Sequence, residues 1–174
     1  MESAFIVTFI GDDRPGLVEA LSSAIERSGG NWLESRLSQL GGKFAGLVLV
    51  NLPESAGSGL EETLRGLADS GLSVRVTPAA SEVAPRGERR VNLTVVGPDR
   101  PGIVREISRA LAAEQLNVVE MESEVSSAPM SGEQLFHACI EAELPAGATL
   151  EALQGALDSI ADDMTLDIDL SPAG

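Results

Sequence analysis

Few residues in this chain could do chemistry, and most of them occur twice. Two short turns, GDDRPGLV from Gly11 and GPDRPGIV from Gly97, carry Asp, Arg, Pro and Gly in the same order. Each follows an apolar run that reads as a strand and precedes an apolar periodicity that reads as a helix. At such a junction the first backbone N–H groups of the helix lack partners, and the positive end of the helix dipole faces outward. A carboxylate placed there is held as anions are at other helix starts. Gly16 and Gly102 have no side chain to keep a ligand from the backbone. A purely architectural reading is equally open: Asp13 and Asp99 cap the helix, and Gly and Pro only shape the turn.

Other constellations are weaker. His137 and Cys139 stand two apart on a strand, hence on one face, as a Cys–His nucleophile pair could. Their counterparts in the first half are Ala45 and Leu47, so the repeat gives them no shared role. The run Glu120-x-Glu122-x-Glu124 could meet a hard cation, but carboxylates lined along an exposed strand are ordinarily solvated, and no metal site is expected. Neither turn has Walker or dinucleotide spacing, so no cofactor is expected. With one His, no Tyr and no convergent nucleophile, base and orienting group, an enzyme is not expected.

The repeat defines the organisation. At an offset of 86 residues Asp13, Arg14, Pro15 and Gly16 meet Asp99, Arg100, Pro101 and Gly102; Val18, Ser22, Ala24, Asn31 and Glu34 meet Val104, Ser108, Ala110, Asn117 and Glu120. The offset then becomes 92, so that Leu52-Pro53 meets Leu144-Pro145, and the extra residues around Ser126 to Gly132 read as a longer hairpin loop. The expected division is a first domain at 1–79, a linker at 80–89 and a second domain at 90–174. Each half reads strand, helix, strand, strand, helix, strand. Pro15 stands near a helix start, where its missing N–H costs nothing. Gly29-Gly30 stops the first helix, Gly41-Gly42 turns a hairpin, and the second helix is expected to end at Gly71. The βαββαβ order predicts an α+β fold: two ferredoxin-like units, each an antiparallel four-stranded sheet with two helices on one face.

Strand alternation assigns faces. Phe5, Val7 and Phe9, with Val91, Leu93 and Val95, are expected under the helices, as are Leu33, Ser35 and Leu37 with Val119, Met121 and Ser123. The opposite face is apolar in the first half (Ile6, Ile10, Ala45, Leu47, Leu49) and acidic in the second (Asn92, Glu120, Glu122, Glu124, Glu141, Asp167, Asp169). The first of these faces is expected to be covered by another domain or subunit, the second to meet water.

Charge narrows the function. The 174 residues hold 27 acids and 12 bases, a formal charge of −15. Residues 1–86 carry 11 acids and 7 bases, residues 87–174 carry 16 and 5. A phosphate backbone demands clustered Lys and Arg, so direct nucleic-acid binding is not expected. The longest clean apolar run, Phe44 to Val50, is too short to span a bilayer, and neither a membrane partner nor a secretory leader is expected. A lone cysteine, Cys139, excludes an internal disulfide and is compatible with a cytoplasmic setting.

Asp-Arg-Pro-Gly after an apolar strand, then a helix and a Gly-Asn or Leu-Asn step into a strand, resembles an ACT domain. Two such units in tandem resemble the glycine cleavage system transcriptional repressor family, as do GGNWLESRLSQLGGKFAGLVLVNLP in the first half and NVVEMESEVSSAPMSGEQLF in the second. The resemblance implies a non-enzymatic regulator that binds a small amino acid, glycine being favoured, between the first loop of one unit and the second-strand start of a neighbour. Carried onto this chain, the ligand residues are Asp13, Arg14, Gly16, Leu17 and Val18 with Asn31 opposite, and Asp99, Arg100, Gly102, Ile103 and Val104 with Asn117 opposite. The two asparagines have a ligand-free explanation too, as left-handed residues between helix and strand. Gln115-Leu116 replaces Gly29-Gly30 before the asparagine, so the two sites are expected to differ. The resemblance further implies action through contact with a transcriptional activator, with the acidic second half as a candidate surface, and leaves a homodimer open. A ligand-free interaction module, or a regulatory subunit of an amino-acid-metabolism enzyme, is the alternative.

Overall fold

A computed structural model describes residues 1–67, 71–80 and 89–173. The chain forms two compact units, Met1–Glu82 and Val83–Gly174. The expected linker, 80–89, lies almost wholly outside the described residues, as does the stretch 68–70 before Gly71.

The first unit runs β1 (Glu2–Asp12), α1 (Leu17–Arg27), β2 (Asn31–Leu40), β3 (Lys43–Pro53), a 3-10 turn (Glu54–Ala56), α2 (Gly57–Arg65) and β4 (Ser73–Pro78). The second runs β5 (Arg89–Pro98), α3 (Ile103–Ala113), β6 (Asn117–Ser127), β7 (Gln134–Leu144), α4 (Leu150–Met164) and β8 (Asp167–Pro172). The strand orders are β2-β3-β1-β4 and β6-β7-β5-β8. All pairings are antiparallel. Both units therefore have the βαββαβ fold that the element order predicts. The change of offset from 86 to 92 falls in the second hairpin: β2 and β3 are joined by Gly41-Gly42 alone, whereas six residues separate β6 from β7. Gly41 and Gly42 have φ of 58° and 77°, as a two-residue hairpin turn requires.

Each unit has its own core. In the first, Val7, Phe9, Val48 and Val50 meet Leu17, Leu21, Ile25, Leu60 and Leu64, so both helices cover the same sheet face. In the second, Val91, Leu93, Val95, Ile140 and Ala142 meet Ile103, Ile107, Leu111, Leu153 and Leu157. Burying such side chains stabilises each unit by about 1.5–3 kcal/mol apiece, before conformational entropy is set against it.

One face assignment is corrected. Leu33 is 50% exposed and Val119 43%, so neither lies under the helices. The ladder shifts register between Trp32 and Glu34, and again between Val118 and Glu120. A bulge inserts one unpaired residue and reverses the alternation before it. Trp32, opposite the buried Val50, packs on the core in place of Leu33. Ser35 and Leu37 keep the expected phase because they follow the bulge, opposite Val48 and Gly46.

The left-handed residues between helix and strand are also not the asparagines. Gly29 (φ 78°) and Gln115 (φ 58°) hold that position, 86 residues apart. Their helices end alike: Gly30 N–H donates to the Ile25 carbonyl and Leu116 N–H to the Leu111 carbonyl, both at 2.9 Å, the wider hydrogen bond of a Schellman cap. A non-glycine residue there carries strain. Gln115→Gly should stabilise the second unit by about 0.5–1 kcal/mol, seen as a higher urea midpoint. A lower midpoint would show that the Gln115 side chain contributes more than its backbone costs.

Candidate functional site

The β1–α1 turn is built around a left-handed glycine. Gly16 (φ 89°) and Gly102 (φ 98°) are the N-cap residues of α1 and α3. A Cβ at Gly16 would touch nothing within 4 Å, and at Gly102 only the end of Arg105 at 3.9 Å. Glycine is required there by backbone conformation, not by crowding. The first intrahelical bonds run from Ala20 N–H to the Gly16 carbonyl (2.9 Å) and from Glu106 N–H to the Gly102 carbonyl (3.0 Å). No side chain caps either helix, which removes the capping role considered for Asp13 and Asp99. The outward end of each helix is thus its own backbone amides at residues 17–19 and 103–105.

The aspartates serve another purpose. Asp13 N–H donates to the Gly42 carbonyl (3.1 Å), and its carboxylate accepts a hydrogen bond from Gln39 Nε2. Asp12 pairs with Lys43. Hydrogen bonding to Lys43, and then its charge, hold the Asp12 carboxyl below its usual range of about 3.8. These contacts tie the turn to the tip of the β2–β3 hairpin. In the second unit the backbone tie remains, Asp99 N–H to the Gln134 carbonyl at 2.8 Å. The side-chain ties do not: Pro98 and Leu135 stand opposite each other where Asp12 and Lys43 do, and Val125 replaces Gln39. The two turns differ, at their tethers as well as before their asparagines.

Between turn and hairpin lies an open hollow of about 310 Å³ lined by Asp13, Arg14, Gly16, Leu17, Val18, Glu19 and Phe44. All five expected loop residues of the first site therefore line one depression, and Asn31, expected opposite them, does not. Leu17 reaches it from a mostly buried position (3% exposed), and Ile103 is likewise a core anchor, so what these residues offer a ligand is chiefly their amides. Val18 and Val104, each 42% exposed, present apolar surface beside them. Phe44, Gln39 and Lys43 were missed by motif reading because they belong to the hairpin. The signal was available in the antiparallel register, which sets Phe44 opposite Gly11 and Lys43 opposite Asp12. Phe44 is held by Phe9, ring centroids 5.9 Å apart.

Asn31 is not brought to this hollow within its own unit. It pairs with Asn51, at the far end of β3 from Lys43. Eight residues of strand separate those ends, about 27 Å. Asn117 likewise pairs with Glu143, which lies 3.6 Å from Arg90. His137 and Cys139 are exposed on the opposite sheet face from the second core, and among the described residues no group of three His, Cys, Asp or Glu is arranged to hold a metal ion. No helix among them is long and apolar enough to cross a membrane.

An antiparallel ferredoxin-like sheet, opened by a glycine turn that leaves a helix start free, places each unit in the class of small α+β modules with both helices on one sheet face. The chain belongs to the ACT-domain family, with one ACT domain matched at residues 3–77 and a second at 91–158. It is 25% identical, over 161 residues, to the glycine cleavage system transcriptional repressor of Escherichia coli (strain K12), covering 91% of this chain and 84% of that one. A crystal structure of an unknown protein from Galdieria sulphuraria superposes over the full length of both chains with a TM-score of 0.88 and 32% identity. A crystal structure provisionally described as a glycine cleavage system transcriptional repressor gives a TM-score of 0.73 at 21% identity, covering 99% of this chain and 98% of that one, a likeness of fold.

The tether makes a pH-resolved prediction. A depressed carboxylate stabilises the fold above its unfolded pKa, and that contribution is lost as pH falls through the folded value. In Lys43→Met, the NMR-monitored Asp12 carboxyl should titrate at higher pH than in the wild type, back near the usual aspartate range. An unchanged midpoint would show that Lys43 does not govern Asp12.

Proposed function

We propose that this protein is a non-enzymatic regulator that responds to a small amino acid, glycine foremost, and adjusts expression of the glycine cleavage genes by contact with a DNA-binding transcriptional activator. The observation that carries the ligand half of this reading is the uncapped start of α1 opening on the hollow lined by Asp13, Arg14, Gly16, Leu17 and Val18. The amides at the helix start would receive the ligand carboxylate, with the positive helix end adding to the attraction. Asp13, Arg14 and Phe44 would orient what remains. A second ligand turn at Asp99, Arg100, Gly102, Ile103 and Val104 would work in the same way with weaker tethering. Asn31 and Asn117, if they receive an ammonium group, would do so for a ligand held by a different ACT unit, since each stands far from its own turn.

The transcriptional half rests on the relative's name and on charge. A protein of −15 repels DNA, so regulation of genes would pass through another protein. Glu120, Glu122 and Glu124 on β6 form an exposed acidic row that a basic patch on an activator would complement.

A ligand as small as glycine is bounded in affinity. Five heavy atoms at about 1.5 kcal/mol each give roughly 7–8 kcal/mol, a dissociation constant in the micromolar range or weaker. At about 100 times that constant, binding would add about 2.7 kcal/mol of stability. The thermal midpoint should rise by several degrees with millimolar glycine or serine, selectively among amino acids. Gly16→Ala should abolish the larger part of the rise if the first turn binds, and Gly102→Ala if the second does. No shift with any amino acid would favour a ligand-free interaction module, which the distance between Asn31 and its own turn also suits. For the transcriptional half, the chain alone should not retard glycine cleavage promoter DNA, but should bind the activator. Charge reversal of Glu120, Glu122 and Glu124 to Lys should weaken that binding about tenfold or more. Unchanged binding would move the contact elsewhere.

A further inference from the structure

The outer face of the first sheet is at odds with a surface left to water. Its central strands carry Ile6, Thr8 and Ile10 on β1 and Ala45, Leu47 and Leu49 on β3, paired as Ile6–Leu49, Thr8–Leu47 and Ile10–Ala45. Ile10 and Leu47 are each 49% exposed. The flanking strands are polar: Glu34, Arg36 and Ser38 on β2, and Ser73, Arg75 and Thr77 on β4, in register with that centre. An apolar centre with a polar rim is the anatomy of an association surface.

We infer that this face is where a second copy of the chain docks, sheet against sheet. Three considerations select that occupant. The face is apolar enough that an acidic lid would have to strip water from carboxylates without repayment, which is costly. Its size suits a modest homodimer: four strands about 4.8 Å apart and some eight residues at about 3.3 Å give roughly 500 Å² per copy, roughly 1,000 Å² in all, near the lower bound for a specific interface. Its rim is self-complementary. Glu34 and Arg36 are successive outward residues of β2, 3.0 Å apart as an ion pair and both largely exposed.

A two-fold axis running across the strands between them lays Glu34 of each copy opposite Arg36 of the other. It also sets Leu47 of each copy against Leu49 of the other. An axis along the strands would instead oppose Arg36 to Arg75, two like charges, because those residues share one row across the sheet through Leu47 and Thr8. The charges thus choose the crossing as well as the occupant. The corresponding face of the second sheet has Cys139 and Glu141 where this one has Leu47 and Leu49, and Glu122 where it has Arg36, so it lacks both the apolar centre and the alternating rim.

The test is sedimentation equilibrium of the full chain from about 1 to 500 µM. The weight-average mass should rise from 18.1 kDa toward twice that value. Leu47→Glu should weaken the dimer at least a hundredfold with an unchanged circular dichroism spectrum. Glu34→Arg, whose site is exposed and needs no refolding, should weaken it about tenfold or more by setting arginines against each other. The double exchange Glu34→Arg with Arg36→Glu should restore most of the loss. A wild type that stays monomeric throughout would overturn the inference and leave the face to another part of the chain or a foreign protein. A dimer indifferent to Leu47→Glu and Glu34→Arg would overturn it too, by showing that the copies meet elsewhere.

Discussion

A positive φ at one residue is the constraint on which each unit depends. The chain leaves β1 at the sheet end, reverses, and enters a helix within four residues. Only a left-handed residue at the N-cap allows this, and Gly16 and Gly102 adopt that conformation without strain. Because that residue is glycine, no side chain folds back to cap the helix, and the first amides remain outward. The turn that makes the fold compact is thus also the one that leaves helix amides free of side-chain caps. The architectural reason for repeating Asp-Arg-Pro-Gly is this left-handed turn and its backbone tie to the neighbouring hairpin.

Duplication has kept the frame and altered the surfaces. Both halves share the left-handed turn, the Schellman ending and the bulge at Leu33 and Val119. They part where side chains face outward. Asp12–Lys43 and Asp13–Gln39 brace the first turn, while an apolar pair and Val125 replace them in the second. One outer sheet face is apolar with Arg36 and Arg75 beside it; the other holds Glu120, Glu122, Glu124 and Glu141, with Arg90 paired to Glu141 and Glu143. Core residues are held by packing on all sides, so substitution there is costly. Exposed positions are freer to acquire separate roles.

The fold was largely legible in the residues because two independent periods agreed: strand alternation, and the 86-residue echo that fixed where each element began again. Val7 and Phe9 were found for that reason. Leu33 and Val119 were misplaced because a bulge adds a residue without a composition signal, and alternation counted through it comes out inverted. Asn31 and Asn117 are residue types that tolerate the left-handed step, which makes that role one of their two open explanations, but the helix-ending hydrogen bonds select the position, and Gln115 accepts the strain. The loop residues of the first hollow were legible from their motif. Gln39, Lys43 and Phe44 were not, because they reach the turn through pairing and not through proximity in sequence.

The central claim is that the free amides at the start of the first helix of an ACT unit receive an amino-acid carboxylate. Its most direct test is a glycine titration of the ¹⁵N-labelled full chain, followed through individual backbone amides. The account predicts saturable shifts led by Leu17, Val18 and Glu19, with Ile103, Val104 and Arg105 responding to the extent that the second turn binds. Saturable shifts confined to other parts of the chain, or none up to tens of millimolar glycine, serine or alanine, would contradict it.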